Sequence, residues 1–284
     1  MQAREMMHTN VVTVAPQTSL GQAQRLMQDN RIRHLPVVLG QSLVGLVTDR
    51  DLRNASPSQV TTLDRGEINY QMDATPIETC MTRDVVVIHP QDSIMEGARQ
   101  LLEGAFGCLP VVEDGHLVGI ITEIDLLRGF LATATPAGAL MQVKDYMQTE
   151  LHTMMPNDLV SIAFERMRVS RIRHLPVISA GLKLVGMLTD RDIRLAGAST
   201  APHLAAHELV GLLEKMTVNS IMTTQVYTVR KDTAVVDAGQ LFIDHKFSCL
   251  PVVGEDDRLQ GIITVTDLLR AYVAQHSNQT ANCS

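Results

Sequence analysis

An octapeptide that the chain writes almost twice constrains it more than any other feature. Arg31-Ile32-Arg33-His34-Leu35-Pro36-Val37-Val38 returns 140 residues later as Arg171-Ile172-Arg173-His174-Leu175-Pro176-Val177-Ile178. Reduced forms stand at Cys108-Leu109-Pro110-Val111-Val112 and Cys249-Leu250-Pro251-Val252-Val253. The agreement reaches well beyond these cores. A methionine lies 29 positions before each proline (Met7, Met81, Met147, Met222), and a threonine 12 or 13 positions after it (Thr48, Thr122, Thr189, Thr264). An aspartate follows each threonine by three: Asp51, Asp125, Asp192 and Asp267. Proline spacings of 74, 66 and 75 group the four copies into two doublets, so the chain is one unit built four times.

The unit reads as strand, helix, strand, strand, helix, an α/β pattern. In the first copy the β-branched residues 11–14 predict a short strand ended by Pro16. Thr18 and Ser19 stand where a helix N-cap belongs, and Leu20, Ala23 and Met27 then share one helix face. Strands over 35–39 and 43–47 flank a turn at 40–42, and Thr48 to Asp51 open a second helix. The later copies repeat this: a strand at 85–88 and a helix face on Ile94, Ala98, Leu101 and Ala105; then Val160, Ala163 and Met167; then Val235, Ala238 and Phe242. The connectors within doublets carry helical stretches at 66–72 and 205–215, and 131–143 forms the boundary between doublets. The expected repeats are 1–57, 75–132, 140–198 and 216–275, in modules 1–135 and 140–275. A unit of this size has little core of its own, so pairing two sheets back to back would bury what one leaves exposed.

Composition narrows the function classes. A 45% hydrophobic share supports a real core, but aromatics are only 3% with no tryptophan, so packing rests on aliphatic residues, methionine and alanine. A net charge of −7 argues against a general nucleic-acid or anionic-membrane surface, although the two Arg-Ile-Arg-His stretches are basic spots on an acidic background. The first fifteen residues lack a secretory pattern, and no run is long enough for a membrane span, so a cytoplasmic chain is expected. The four cysteines form no Cys-x-x-Cys pair; Cys108 and Cys249 share one repeat position and read as small core residues.

Taken together, these patterns resemble cystathionine-β-synthase-type (CBS) domains. The stretches that carry the resemblance are Gly45-Leu46-Val47-Thr48-Asp49-Arg50-Asp51, Gly119-Ile120-Ile121-Thr122-Glu123-Ile124-Asp125, Gly186-Met187-Leu188-Thr189-Asp190-Arg191-Asp192 and Gly261-Ile262-Ile263-Thr264-Val265-Thr266-Asp267. The resemblance implies tandem pairs (Bateman modules) whose clefts take adenosine compounds: AMP, ADP, ATP or S-adenosylmethionine. It implies that the motif aspartate meets ribose hydroxyls, while the threonine and the cations before Leu-Pro meet phosphates. Carried onto this sequence, the odd-copy sites are Arg33, His34, Pro36, Thr48, Arg50 and Asp51, and Arg173, His174, Pro176, Thr189, Arg191 and Asp192. The chemistry suits those roles, since a carboxylate accepts from a vicinal diol and arginine forks match phosphate oxygens. The even copies keep Thr122, Asp125, Thr264 and Asp267 but replace Arg-His by Gly107-Cys108 and Ser248-Cys249, so even sites that bind weakly, take an uncharged adenosyl group or stay empty are expected.

Each of these residues also has a purely structural reading. Thr-x-x-Asp is a variant of the helix capping box. His34 and His174 can be packed core histidines, and Met7, Met81, Met147 and Met222 read as core plugs. His203 and His207 have metal-pair spacing, but no third ligand accompanies them. No nucleophile–base arrangement, glycine-rich phosphate loop or metal cluster is evident, so no enzyme and no cofactor are expected. The expected function is a non-catalytic sensor of an adenine nucleotide, read by a protein partner that the sequence does not name. Its alternatives are an oligomerisation scaffold with vestigial clefts and an S-adenosylmethionine sensor. The assembly is expected to be either one intrachain disc or a homodimer.

Overall fold

The computed structural model describes residues 1–55, 65–133, 141–200 and 215–281. The expected helix at 205–215 therefore lies outside the described residues apart from its last position, as do most of the 131–143 boundary and His203 and His207. The chain divides into two compact units: Met1–Ser58 with Gly66–Thr133 and Leu269–Ser284, and Gln59–Arg65 with Ala134–Leu268.

In the first copy Ser19 caps α1 (Leu20–Asn30), its Oγ accepting the Gln22 N–H at 3.2 Å. Leu20, Ala23 and Met27 are buried on the expected face. The helix stops because Arg31 turns left-handed, at φ 55°, which lets the Ile32 N–H bond back to the Met27 carbonyl at 2.9 Å. The hairpin β1 (His34–Leu39) and β2 (Ser42–Thr48) follows, then α2 (Asp49–Ala55) and α3 (Arg65–Ala74). The second copy gives α4 (Ile94–Gly104), β3 (Cys108–Glu113), β4 (His116–Thr122) and α5 (Glu123–Ala132). Ala105, expected on the face of α4, is instead its exposed left-handed cap at φ 52°. In the other unit stand α6 (Val160–Ser170), β5 (His174–Ile178), β6 (Leu184–Thr189) and α7 (Asp190–Thr200). They are followed by α8 (Val235–His245), β7 (Cys249–Val253), β8 (Leu259–Thr264) and α9 (Val265–Ala281).

The expected strands at 11–14 and 85–88 shrink to single parallel bridges, Val14 to Val37 and Ile88 to Val111. The reason is chemical. The Val14 N–H bonds to the Pro36 carbonyl and the Val38 N–H to the Val14 carbonyl, but Pro36 has no N–H with which to extend the ladder backwards. Pro110, Pro176 and Pro251 impose the same limit on Ile88, Met154 and Val229.

The doublet is not assembled by stacking sheets back to back. In the first unit the two hairpins meet at an edge, through one Ser42–His116 pair, giving the strand order β1-β2-β4-β3. In the second unit Lys183 and Arg258 make the corresponding single bridge between two two-stranded sheets. The stronger tie is an exchange of N-terminal segments. His8 of copy one bridges Ile120 of copy two, and Thr82 of copy two bridges Leu46 of copy one. Gln148 with Ile262 and Thr223 with Met187 repeat the exchange.

The recurring methionines lie on this exchange. Met7 lies over Gly119, Met81 over Gly45, Met147 over Gly261 and Met222 over Gly186, each facing the glycine of the other copy. A Cβ on Gly261 would meet the Gln148 carbonyl oxygen and the Met147 sulfur at 2.9 Å each, and the first of these is backbone that cannot swing aside. Gly261→Ala is therefore expected to destabilise the protein by about 1–3 kcal/mol, as overpacking does. Denaturant unfolding would register this as a lower midpoint, and an unchanged midpoint would show that the two segments are not in contact.

Candidate ligand-binding site

Each second helix opens with a threonine whose partner lies three residues on. The Thr48 N–H and hydroxyl both donate to Oδ2 of Asp51, at 2.8 and 2.7 Å, and the Asp51 N–H returns to the Thr48 hydroxyl at 3.2 Å. Thr189 and Asp192 repeat this at 2.8, 2.6 and 3.3 Å. The carboxylate thus satisfies donors that a helix start would leave open, and it lies at the positive end of the helix dipole. It does so with one oxygen. Among the described residues, Oδ1 of Asp51 and of Asp192 accepts no hydrogen bond.

Hairpin register brings the basic stretch to the same place. His34 lies opposite Thr48 and His174 opposite Thr189. The Asp49 N–H bonds to the Arg33 carbonyl at 3.0 Å, and the Asp190 N–H to the Arg173 carbonyl at 3.1 Å. Arg33, Arg50, Arg173 and Arg191 are exposed, whereas Pro36 and Pro176 are buried in their strands. The Thr48 hydroxyl gives its proton to Asp51, so a phosphate oxygen would have to compete for it. The histidines reach toward the even copies. His174 Nε2 is 3.0 Å from the Ser248 hydroxyl, and at the equivalent position a Cβ on Gly107 would fall 2.6 Å from His34 Nε2, so a side chain there would require the His34 ring to shift.

The even copies carry the same cap in a different setting. Oδ2 of Asp125 takes the Thr122 N–H and hydroxyl, and Oδ2 of Asp267 takes those of Thr264. Yet Asp125 and Asp267 are 2% and 3% exposed, the only buried polar residues among the described ones. Oδ1 of Asp125 lies 2.9 Å from His8 Nε2 and 3.2 Å from Arg128 Nη1. Gln148 Nε2 donates to Asp267 at 3.1 and 3.2 Å. The sequence reading, which expected these aspartates to serve as ribose anchors, missed His8 and Gln148. Both sit one residue after a recurring methionine, where copies two and four have Thr82 and Thr223.

At the position of the odd histidines, Cys108 and Cys249 lie opposite Thr122 and Thr264. Burial, and then the nearby Glu123 or Asp267 carboxylate, pushes each thiol up to about 12. The Cys80 thiol is also pushed up, by burial and secondarily by the Asp51 carboxylate, so the segment entering copy two runs beside the first site. An open cavity of about 530 Å³ on the outer side of α6, lined by His152, Ile162, Arg166 and Val169, involves none of the predicted residues. Among the described residues no cluster of His, Cys, Asp or Glu could hold a metal ion. Nor is any described helix long and apolar enough to cross a membrane.

Known proteins carry the same repeat. The CBS domain family matches residues 3–58, 77–132, 143–199 and 218–274. The chain belongs to the CBS domain family. Its four CBS repeats pair into two Bateman modules. It is 27% identical over 270 residues to the uncharacterized protein MJ1225 of Methanocaldococcus jannaschii, covering 92% of this chain and 95% of that one. MJ1404 of the same organism is 28% identical across 95% of this chain, which spans 61% of MJ1404. The crystal structure of MJ1225, a protein proposed to be an archaeal homologue of γ-AMPK, superposes with a TM-score of 0.80 at 25% identity, covering 96% of this chain and all of that one. An uncharacterized conserved protein from Pyrococcus horikoshii shares the fold, with a TM-score of 0.69 at 21% identity over 96% of this chain and 100% of that one.

A thiol held near 12 is fully protonated at neutral pH and has no thiolate to react. Iodoacetamide at pH 8 is expected to leave Cys108 and Cys249 unmodified in the folded protein and to alkylate both in urea, as read by peptide mass spectrometry. The sign follows from the shift. The unfolded thiols ionise near 9 and the folded ones near 12, so their contribution to stability holds below pH 9 and is lost as the pH rises toward 12. Alkylation of either the buried Cys108 or the half-buried Cys249 in the folded state would contradict the upward shift of their thiols.

Proposed function

We propose that this CBS protein is a non-catalytic regulatory sensor that binds an adenine nucleotide (AMP, ADP or ATP) at its two odd-copy sites, headed by Asp51 and Asp192. One observation carries the reading. Among the described residues, only in the odd copies does the capping aspartate keep an oxygen that accepts no hydrogen bond, and there its threonine lies opposite the histidine that follows Arg33 or Arg173. A ribose hydroxyl can donate to that oxygen without disturbing the cap. The exposed Arg33 and Arg50, and Arg173 and Arg191, would meet the phosphates in charge-assisted contacts. The likeness to MJ1225, proposed to be an archaeal homologue of γ-AMPK, supports a regulatory role. A protein partner would read the change that the ligand produces.

A scaffold with vestigial sites is the second reading, and the intact cap in all four copies favours it, because a cap needs no ligand. Thermal melting separates the two. A nucleotide at a hundred times its dissociation constant is expected to add about 2.7 kcal/mol per site. That gain is expected to vanish in Asp51→Ala/Asp192→Ala. Each protein is compared with its own ligand-free melt, since losing a cap costs about 1 kcal/mol by itself. Equal gains in both proteins would refute the site. No gain with AMP, ADP, ATP or S-adenosylmethionine in the wild type would leave the scaffold, and steady release of phosphate from ATP would make it an enzyme.

A further inference from the structure

The even-copy carboxylates are occupied by the protein itself, and the residues that occupy them come from the opposite copy. His8 belongs to the N-terminal segment of copy one but bonds to Asp125, 117 residues away. Gln148 belongs to copy three but bonds to Asp267, 119 residues away. The backbone bridges show that this follows from a fixed register. His8, Thr82, Gln148 and Thr223 each pair with the residue two before a motif threonine: Ile120, Leu46, Ile262 and Met187. All four side chains therefore stand at the same place relative to a capping aspartate. Where that residue is histidine or glutamine, the aspartate is bonded and buried. Where it is threonine, the aspartate keeps a free oxygen, and among the described residues neither Thr82 nor Thr223 makes a side-chain hydrogen bond.

We propose that His8 and Gln148 are built-in plugs, which select the odd sites by filling the ribose-hydroxyl position of the even ones. This rests on the nucleotide-binding reading above. A hydroxyl of ribose and the ring N–H of His8, or the amide N–H of Gln148, present the same chemistry to a carboxylate: one donor at hydrogen-bond distance. The plug is thus an internal mimic of the ligand's sugar. A threonine, one or two bonds shorter in reach, leaves that position open. In copy two Arg128 adds a second claim on Asp125 Oδ1, as an i,i+3 pair whose side chain is 49% exposed. Its counterpart in copy one is Asn54, which carries no charge to make such a pair. Selection between sites is accordingly set by the segment that each copy lends to its neighbour, in addition to the arginines each copy carries itself.

Exchanging the residues tests this in the full-length chain, with stoichiometry read by isothermal titration calorimetry using AMP and, for the sites without arginines, adenosine. The wild type is expected to bind two equivalents of AMP. His8→Thr/Arg128→Asn/Gln148→Thr/Arg270→Leu, which installs at the even sites the residues that the odd sites have (Thr82, Asn54, Thr223 and Leu195), is expected to bind adenosine or AMP at up to two further sites. Thr82→His/Thr223→Gln, which installs the plugs, is expected to lose AMP binding at both original sites while melting as a folded protein. If the wild type binds two AMP and both exchanged proteins still bind only those two, the plug is refuted and the nucleotide site survives. If the wild type binds neither AMP nor adenosine, the nucleotide-binding reading itself fails.

Discussion

A helix that begins at a threonine and closes on an aspartate three residues later needs only half of the carboxylate. One oxygen collects the threonine N–H and hydroxyl, and the geometry of that bond fixes the direction of the other. Here this happens four times, with cap distances that repeat within a few tenths of an ångström. What the second oxygen meets is decided outside the helix. Among the described residues it accepts no hydrogen bond in copies one and three, and it meets a donor lent by the neighbouring copy in two and four. The repeat thus supplies four equivalent anchors, and the exchange of segments sorts them into two kinds.

That exchange also answers the problem of size. A unit of about fifty residues buries too little surface to stand alone. Each copy therefore sends its opening segment across to its partner, where a methionine lies on a glycine that has no side chain to resist it. The sheet contact between hairpins is a single residue pair, so the doublet owes its cohesion to this reciprocal contact and to the core behind it, where Ile77, Met72 and Met81 join the residues of copy one. The same segment therefore carries the methionine that ties the doublet together and the residue that faces the partner's aspartate.

Much of this was legible in the sequence, and the reasons are local. The face of α1, the Ser19 cap, the hairpins and the four Thr-x-x-Asp boxes all follow from spacings shorter than two helical turns. The strand at 11–14 was misread because its β-branched residues carry the propensity, while Pro36, on the neighbouring strand, withholds the N–H that would have extended the pairing. Ala105 was misread because helical periodicity runs one residue past the point where the chain turns left-handed. His8 and Gln148 left no signal at all. Their importance depends on register between segments more than a hundred residues apart, and only the recurring methionine beside each of them marks the position. The arginines that separate odd from even copies were visible, whereas the occupied carboxylates that separate them again were not.

The central claim is that a free carboxylate oxygen, near the arginines that precede β1 and β5, defines where a nucleotide sits. A crystal structure of the full-length protein grown with AMP tests it most directly. The account predicts AMP at two places, with ribose hydroxyls within hydrogen-bond distance of Oδ1 of Asp51 and of Asp192 and phosphate against Arg33 or Arg50 and Arg173 or Arg191. AMP bound beside Asp125 or Asp267 with the odd sites vacant would contradict it.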